Sequence, residues 1–141
     1  MYQKILVATD GSEHSRRAFK QAIDMAKALG SKIILLHVVF TPEALGYVLT
    51  GSAAVIQEQI GLNGEAILDI TVRGIDAGGI VVEKKAVPGH PVAKILEEIA
   101  TNCIDLVIMG SRGYGPVAGS LMGSISQRVL HYAACPVMIV K

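Results

Sequence analysis

Four short apolar runs limit what this chain can fold into more than any other feature. Residues 4–9 (KILVAT), 33–40 (IILLHVVF), 104–109 (IDLVIM) and 137–140 (VMIV) are apolar at successive rather than alternating positions. A strand written that way is covered on both faces, as in a parallel sheet flanked by helices.

The segments between these runs read as helices. Asp10-Gly11-Ser12 is a turn followed by a cap; Ser12 suits the first-turn amides and Glu13 the positive end. Ala18, Phe19, Ala22, Ile23, Ala26 and Leu29 then recur on one helical face until Gly30, a stop position. Residues 41–52 read as a loop with a short helical turn. Residues 53–77 are helical in pattern (Val55, Ile56, Ile60, Ile67, Ile70, Ile75). Gly61, Gly64 and Gly74 predict a break or kink there, and Gly78-Gly79 the end. Residues 80–87 form a further strand, which Glu83-Lys84-Lys85 makes partly exposed. Pro91 opens a helix to Thr101 with Val92, Ile95, Leu96 and Ile99 on its apolar face. Strands alternating with helices predict an α/β fold: one domain over 1–141, an open, mostly parallel five-stranded sheet with helices on both faces.

With 51% hydrophobic residues, 18% charged residues and a net charge of +1, disorder is excluded. That net charge, with no basic tail, argues against general binding to nucleic acid or a membrane surface. The longest apolar run is far short of the roughly 20 residues of a spanning helix. The first ten residues are too short in apolar core for a signal peptide, so a cytoplasmic protein is expected. Cys103 and Cys135 lack metal-ligand or redox spacing and read as small buried hydrophobes. His14 and His131 fall on helices as surface or boundary residues, and His37 lies in a strand as a buried, hydrogen-bonded histidine. His90, in the turn before a helix, is the only histidine kept as a candidate for a ligand's edge.

The stretch that points to chemistry is GSRGYGPVAGSLMGSIS, residues 110–126, between the fourth strand and a helix beginning near Gly123. Glycines admit a ligand close to the backbone, and a helix N-terminus offers unpaired N–H groups and partial positive charge to a phosphate. In an open parallel sheet, ligands bind beyond the carboxyl ends of strands, where the strand order reverses. If strands one and four are neighbours there, residues 10–12 and 110–113 form the two lips of one crevice. A P-loop is excluded by the missing lysine. Gly113, Gly115 and Ala118 meet a dinucleotide fingerprint only weakly, with Pro116 inside it and no acidic residue downstream.

Gly110, two residues, Gly113, nine residues and Gly123-Ser124, set between ILVATDGS and SISQRVLHYAACPVMIV, strongly resemble the universal stress protein family in its ATP-binding branch. The resemblance covers the whole chain, including HVV at the second strand end and VPGHPVAKIL. It implies a Rossmann-like fold that binds ATP with Mg2+ (or Mn2+). Ala8 and Val38 flank the adenine, with Thr9 beside them, and Asp10 faces the nucleoside and helps hold the metal. Met109 and Gly110 lie against the ribose. Gly113, Gly123, Ser124 and Ile125 present amides to the phosphates, Ser124 and Ser126 add hydroxyls, and Arg112 is an extra charge partner. A homodimer through the C-terminal strand is implied too.

No Ser/His/Asp arrangement stands out, and rapid phosphoryl transfer would draw only on Asp10 and Arg112. The expected function is that of a stress-response regulator whose nucleotide state modulates assembly or partner binding, with slow or no hydrolysis. An adenylating enzyme is the alternative, although residues 10–13 are too poor in glycine for its pyrophosphate loop. A ligand-free dimeric interaction module is the other.

Overall fold

Strand positions follow from where two-sided burial is available. The structure, a computed structural model, describes residues 1–40, 53–112 and 122–141, with side chains at all of these except 53–62. Its elements are β1 (Lys4–Ala8), α1 (Glu13–Leu29), β2 (Lys32–Val39), α2 (Ala53–Val72), β3 (Val82–Pro88), α3 (Pro91–Thr101), β4 (Leu106–Gly110), α4 (Ser124–Tyr132) and β5 (Val137–Val140). One sheet of five strands has the order β3-β2-β1-β4-β5, and every pairing is parallel. β1, central, sends Ile5 and Val7 to a face covered by α1 and α2 and Leu6 to a face covered by α3 and α4. That split explains the unbroken apolar run Ile5–Ala8 of β1. Each such side chain contributes roughly 1.5–3 kcal/mol when fully buried.

The chain winds outward from β1 through β2 to β3, then returns to β1's other side as β4, so the strand order reverses between β1 and β4. Their register pairs Ala8 with Met109. The residues following the two strands therefore stand side by side, as the crevice reading requires.

Ser12 caps α1 by accepting from the Ser15 amide, and Gly30 ends it in the left-handed region at φ 72°. α2 departs from expectation. It runs unbroken through Gly61 and Gly64 and stops before Gly74, not at Gly78-Gly79, which lie in the turn before β3. A Cβ on Gly64 would lie 2.4 Å from the Ala86 Cβ of β3, so this glycine lets helix and strand approach. Helix propensity alone predicts that Gly64→Ala adds about 1 kcal/mol of stability. The contact reverses the sign, and urea unfolding should show a loss of about 1–3 kcal/mol. A stabilised variant would contradict this packing.

β3 is an edge strand, which accounts for its charges. Lys85 Nζ donates to Glu98 Oε1 of α3 at 2.6 Å, an interaction that raises the Lys85 pKa above its ordinary value. Cys103 is not the buried hydrophobe expected. It is exposed, with φ 53°, in the turn between α3 and β4. Cys135 is half-buried against the α3–α4 core, and burial pushes its thiol up. The loop reading for 41–52 and the weak fingerprint at Gly113, Gly115 and Ala118 lie outside the described residues. Among the described residues, no helix is long and apolar enough to cross a membrane.

Candidate functional site

At the carboxyl ends of β1, β2 and β4 the structure forms a cavity of about 210 Å³. β1 and the residues after it supply Ala8, Thr9 and Asp10; β2 supplies Leu36, His37 and Val38. β4 and its exit supply Met109, Gly110 and Arg112, and α4 begins on the wall with Gly123, Ser124, Ile125 and Ser126. Every residue expected here from the sequence lies on this wall except His90 and Gly113, of which Gly113 is outside the described residues. Leu36, Val38, Ile95 and Met109 make one part of the wall apolar, whereas Thr9, Asp10, Ser15, Arg112 and Ser124 make another polar.

The start of α4 is held from outside the helix. Ser111 N–H donates to Val140 O at 2.8 Å, and Gly123 N–H donates to Ser111 O at 2.7 Å. Gly123 is an N-cap with extended backbone (φ −61°, ψ 152°), and no side chain caps the helix. The first helical bond is Gln127 N–H to Gly123 O at 3.0 Å. Ser124, Ile125 and Ser126 thus carry first-turn amides that the helix itself leaves without acceptors. Together with the macrodipole they suit an anion.

Two residues do something other than expected. A Cβ on Gly110 would lie 2.7 Å from the His14 carbonyl carbon and 2.9 Å from its oxygen. Gly110 is therefore required by the passage of α1, independently of any sugar. Ser126, 5% exposed, donates through Oγ to Gly110 O at 2.7 Å. Its proton is committed within the protein, which leaves Ser126 its amide and a lone pair for a ligand.

Asp10 Oδ1 accepts from Ser12 N–H at 2.9 Å and from Ser15 Oγ at 3.0 Å, an Asx turn that places the carboxylate at the mouth of β1. The Thr9 hydroxyl accepts from Gly11 N–H and meets Ser15 Oγ at 3.0 Å and Thr71 Oγ1 at 2.7 Å. It belongs to an internal network as well as to the wall.

His37 Nδ1 lies 2.8 Å from Thr9 O, and because a carbonyl only accepts, this nitrogen carries the proton. The ring ties the ends of β1 and β2 together. His37, Ser15, Leu36, Pro91 and Ile95 line the cavity without having been expected there. Ser15 and Pro91 had a signal: they occupy first turns, and in a parallel sheet every helix that follows a strand starts at this end. His90 lies off the described wall. It precedes α3 and meets Phe40 edge-on, ring centroids 6.1 Å apart.

The sequence pattern of the universal stress protein family matches residues 1–141. The chain belongs to the universal stress protein family. Universal stress protein MJ0531 of Methanocaldococcus jannaschii is 31% identical over 141 residues, which are 100% of this chain and 83% of that protein. Among solved structures, hypothetical protein MJ0577 superposes with a TM-score of 0.79 at 28% identity, covering 100% of this chain and 96% of the other. A universal stress protein in complex with cAMP gives 0.72 at 27% identity, covering 99% and 97%. The doubly covered five-stranded sheet is thus the universal stress protein fold.

A metal would find few protein ligands among the described residues of this universal stress protein. Among the described residues no group of three His, Cys, Asp or Glu gathers, and Asp10 is the carboxylate on the described wall. That fits a cation held mainly by a ligand's own oxygens, as Mg2+ is with phosphates, and not a cation in an all-protein cage.

Proposed function

We propose that residues 1–141 act as a cytoplasmic ATP-binding regulatory domain whose nucleotide state modulates assembly or partner binding. The observation that carries this reading is the uncapped start of α4, which meets an apolar slot and a carboxylate on one cavity wall. Ala8 and Val38 flank the adenine, with main-chain groups of Val38 reading its edge. Met109 and Gly110 lie along the ribose. The amides of Gly113, Gly123, Ser124 and Ile125 take the phosphates, helped by the Ser124 hydroxyl and Arg112. The similar protein solved with cAMP supports an adenine nucleotide as the class of ligand.

Asp10 and the phosphate oxygens would hold Mg2+ (or Mn2+), which when bound neutralises phosphate charge. Hydrolysis is slow or absent in this reading, since Asp10 and Arg112 alone would have to supply base, metal ligand and charge stabilisation. β5, an edge strand with half-buried Val137, Met138, Ile139 and Val140, would pair with a second copy to form a homodimer.

The test is nucleotide-dependent stability. At a hundredfold excess over the dissociation constant, ATP with Mg2+ should add about 2.7 kcal/mol and raise the melting temperature by several degrees. An unchanged melting temperature at millimolar ATP overturns the reading.

A further inference from the structure

Ser15 stands on the cavity wall with 4% of its surface exposed, at the junction of a chain of buried hydroxyls. Ser15 Oγ lies 3.0 Å from Asp10 Oδ1, 3.0 Å from Thr9 Oγ1 and 3.1 Å from Ser12 Oγ. Thr9 Oγ1 in turn lies 2.7 Å from Thr71 Oγ1, whose residue is fully buried on α2. Each hydroxyl has one proton, and an ionised carboxylate only accepts. Thr71 Oγ1 donates to Ile67 O at 2.8 Å and Thr9 Oγ1 donates to Ser15 Oγ. The Ser15 proton has two acceptors at 3.0 Å, Asp10 Oδ1 and Ser12 O, and the charge on Asp10 draws it to the carboxylate. Ser12 N–H, at 2.9 Å, arrives on the same carboxylate oxygen from the backbone. Two donors converging on Oδ1 from different parts of the turn fix the rotation of the carboxylate.

We infer that Ser15 is a positioning residue, which holds the Asp10 carboxylate in the orientation that receives the metal of a bound metal–nucleotide. This inference rests on the ATP-binding reading above and specifies how that site is held. A hydroxyl that acts through Asp10 loses its contribution when Asp10 loses its charge. Partners that orient a metal-bound carboxylate commonly change metal affinity ten- to a hundredfold.

The experiment is a double-mutant cycle on the full chain, with ATP affinity measured by calorimetry in Mg2+ and in EDTA and folding followed by melting temperature. Ser15→Ala should weaken ATP binding in Mg2+ about tenfold and in EDTA less than twofold. In the Asp10→Asn background the same substitution should cost less than twofold. Ser15→Cys, which keeps a weak donor, should fall between the two and guards against a folding artefact in the alanine variant. Equal losses in Mg2+ and EDTA, or equal losses with and without Asp10→Asn, would show that Ser15 acts on its own account and overturn the inference alone. A wild-type chain that binds no ATP in either buffer overturns the nucleotide reading and this inference with it.

Discussion

Gly110→Ala is expected to lower the melting temperature by roughly 10 °C, the equivalent of about 3 kcal/mol in a chain of this size. The backbone conformation of Gly110 is ordinary, so alanine meets no torsional strain. What it meets is main chain: the added Cβ would lie 2.7 Å from the His14 carbonyl carbon and 2.9 Å from its oxygen. A flexible side chain could rotate away, but a carbonyl in the first turns of α1 moves only if the helix moves. α1 buries Ala18, Phe19, Ala22, Ile23 and Ala26 against the sheet, so displacing it loosens much of one core layer. The displacement also reaches Ser12 and Ser15, hence the turn that holds Asp10. Thermal and urea unfolding of the purified variant check this. A melting temperature within about 2 °C of wild type would show that α1 yields without cost, contrary to the close packing of protein interiors.

Gly123→Asp should move stability and binding in opposite directions. Gly123 already has the extended N-cap backbone that aspartate favours, and no side chain caps α4. A carboxylate there accepts from the first-turn amides and suits the positive helix end, adding from a few tenths to about 1 kcal/mol. The same carboxylate occupies the donors proposed for the phosphates and repels them. ATP affinity should fall at least about a hundredfold, a loss of about 2.7 kcal/mol of binding free energy. Comparing unfolding midpoints with titrations on one preparation checks both halves. Damage to the fold lowers both quantities, and a cavity that binds elsewhere leaves affinity intact. Only occupation of an anion site by a cap gives a more stable protein that binds less.

The architecture was legible in the sequence because its causes are local. Apolar residues at every position of 5–8 can be explained only by burial on both faces, which the split of Ile5 and Val7 from Leu6 bears out. Ser12, Gly30 and Pro91 mark helix ends through backbone chemistry that needs no partner elsewhere in the chain. The glycines were harder, because the role of a missing side chain depends on what passes it. Gly64 was expected to interrupt α2 but lets the helix meet Ala86, and Gly110 was assigned to a sugar although α1 already requires it. Hydroxyl groups posed the same difficulty. Ser126 looks like a phosphate donor until Gly110 O is found in front of it, and Ser15 looks like an ordinary helix residue until Asp10 and Thr9 fold against it. Cys103 read as buried from its apolar neighbours, but the turn that ends α3 exposes it. Sequence pattern carries burial and capping well. It does not carry the direction of a single hydrogen bond.

The most direct measurement is calorimetric titration of ATP with Mg2+ into the wild-type chain and the Gly123→Asp variant side by side. The account predicts saturable, one-site heat for the wild type and an affinity at least about a hundredfold weaker for the variant, whose unfolding midpoint is no lower. Absence of heat with the wild type at millimolar ATP, or equal affinities for the two proteins, would contradict it.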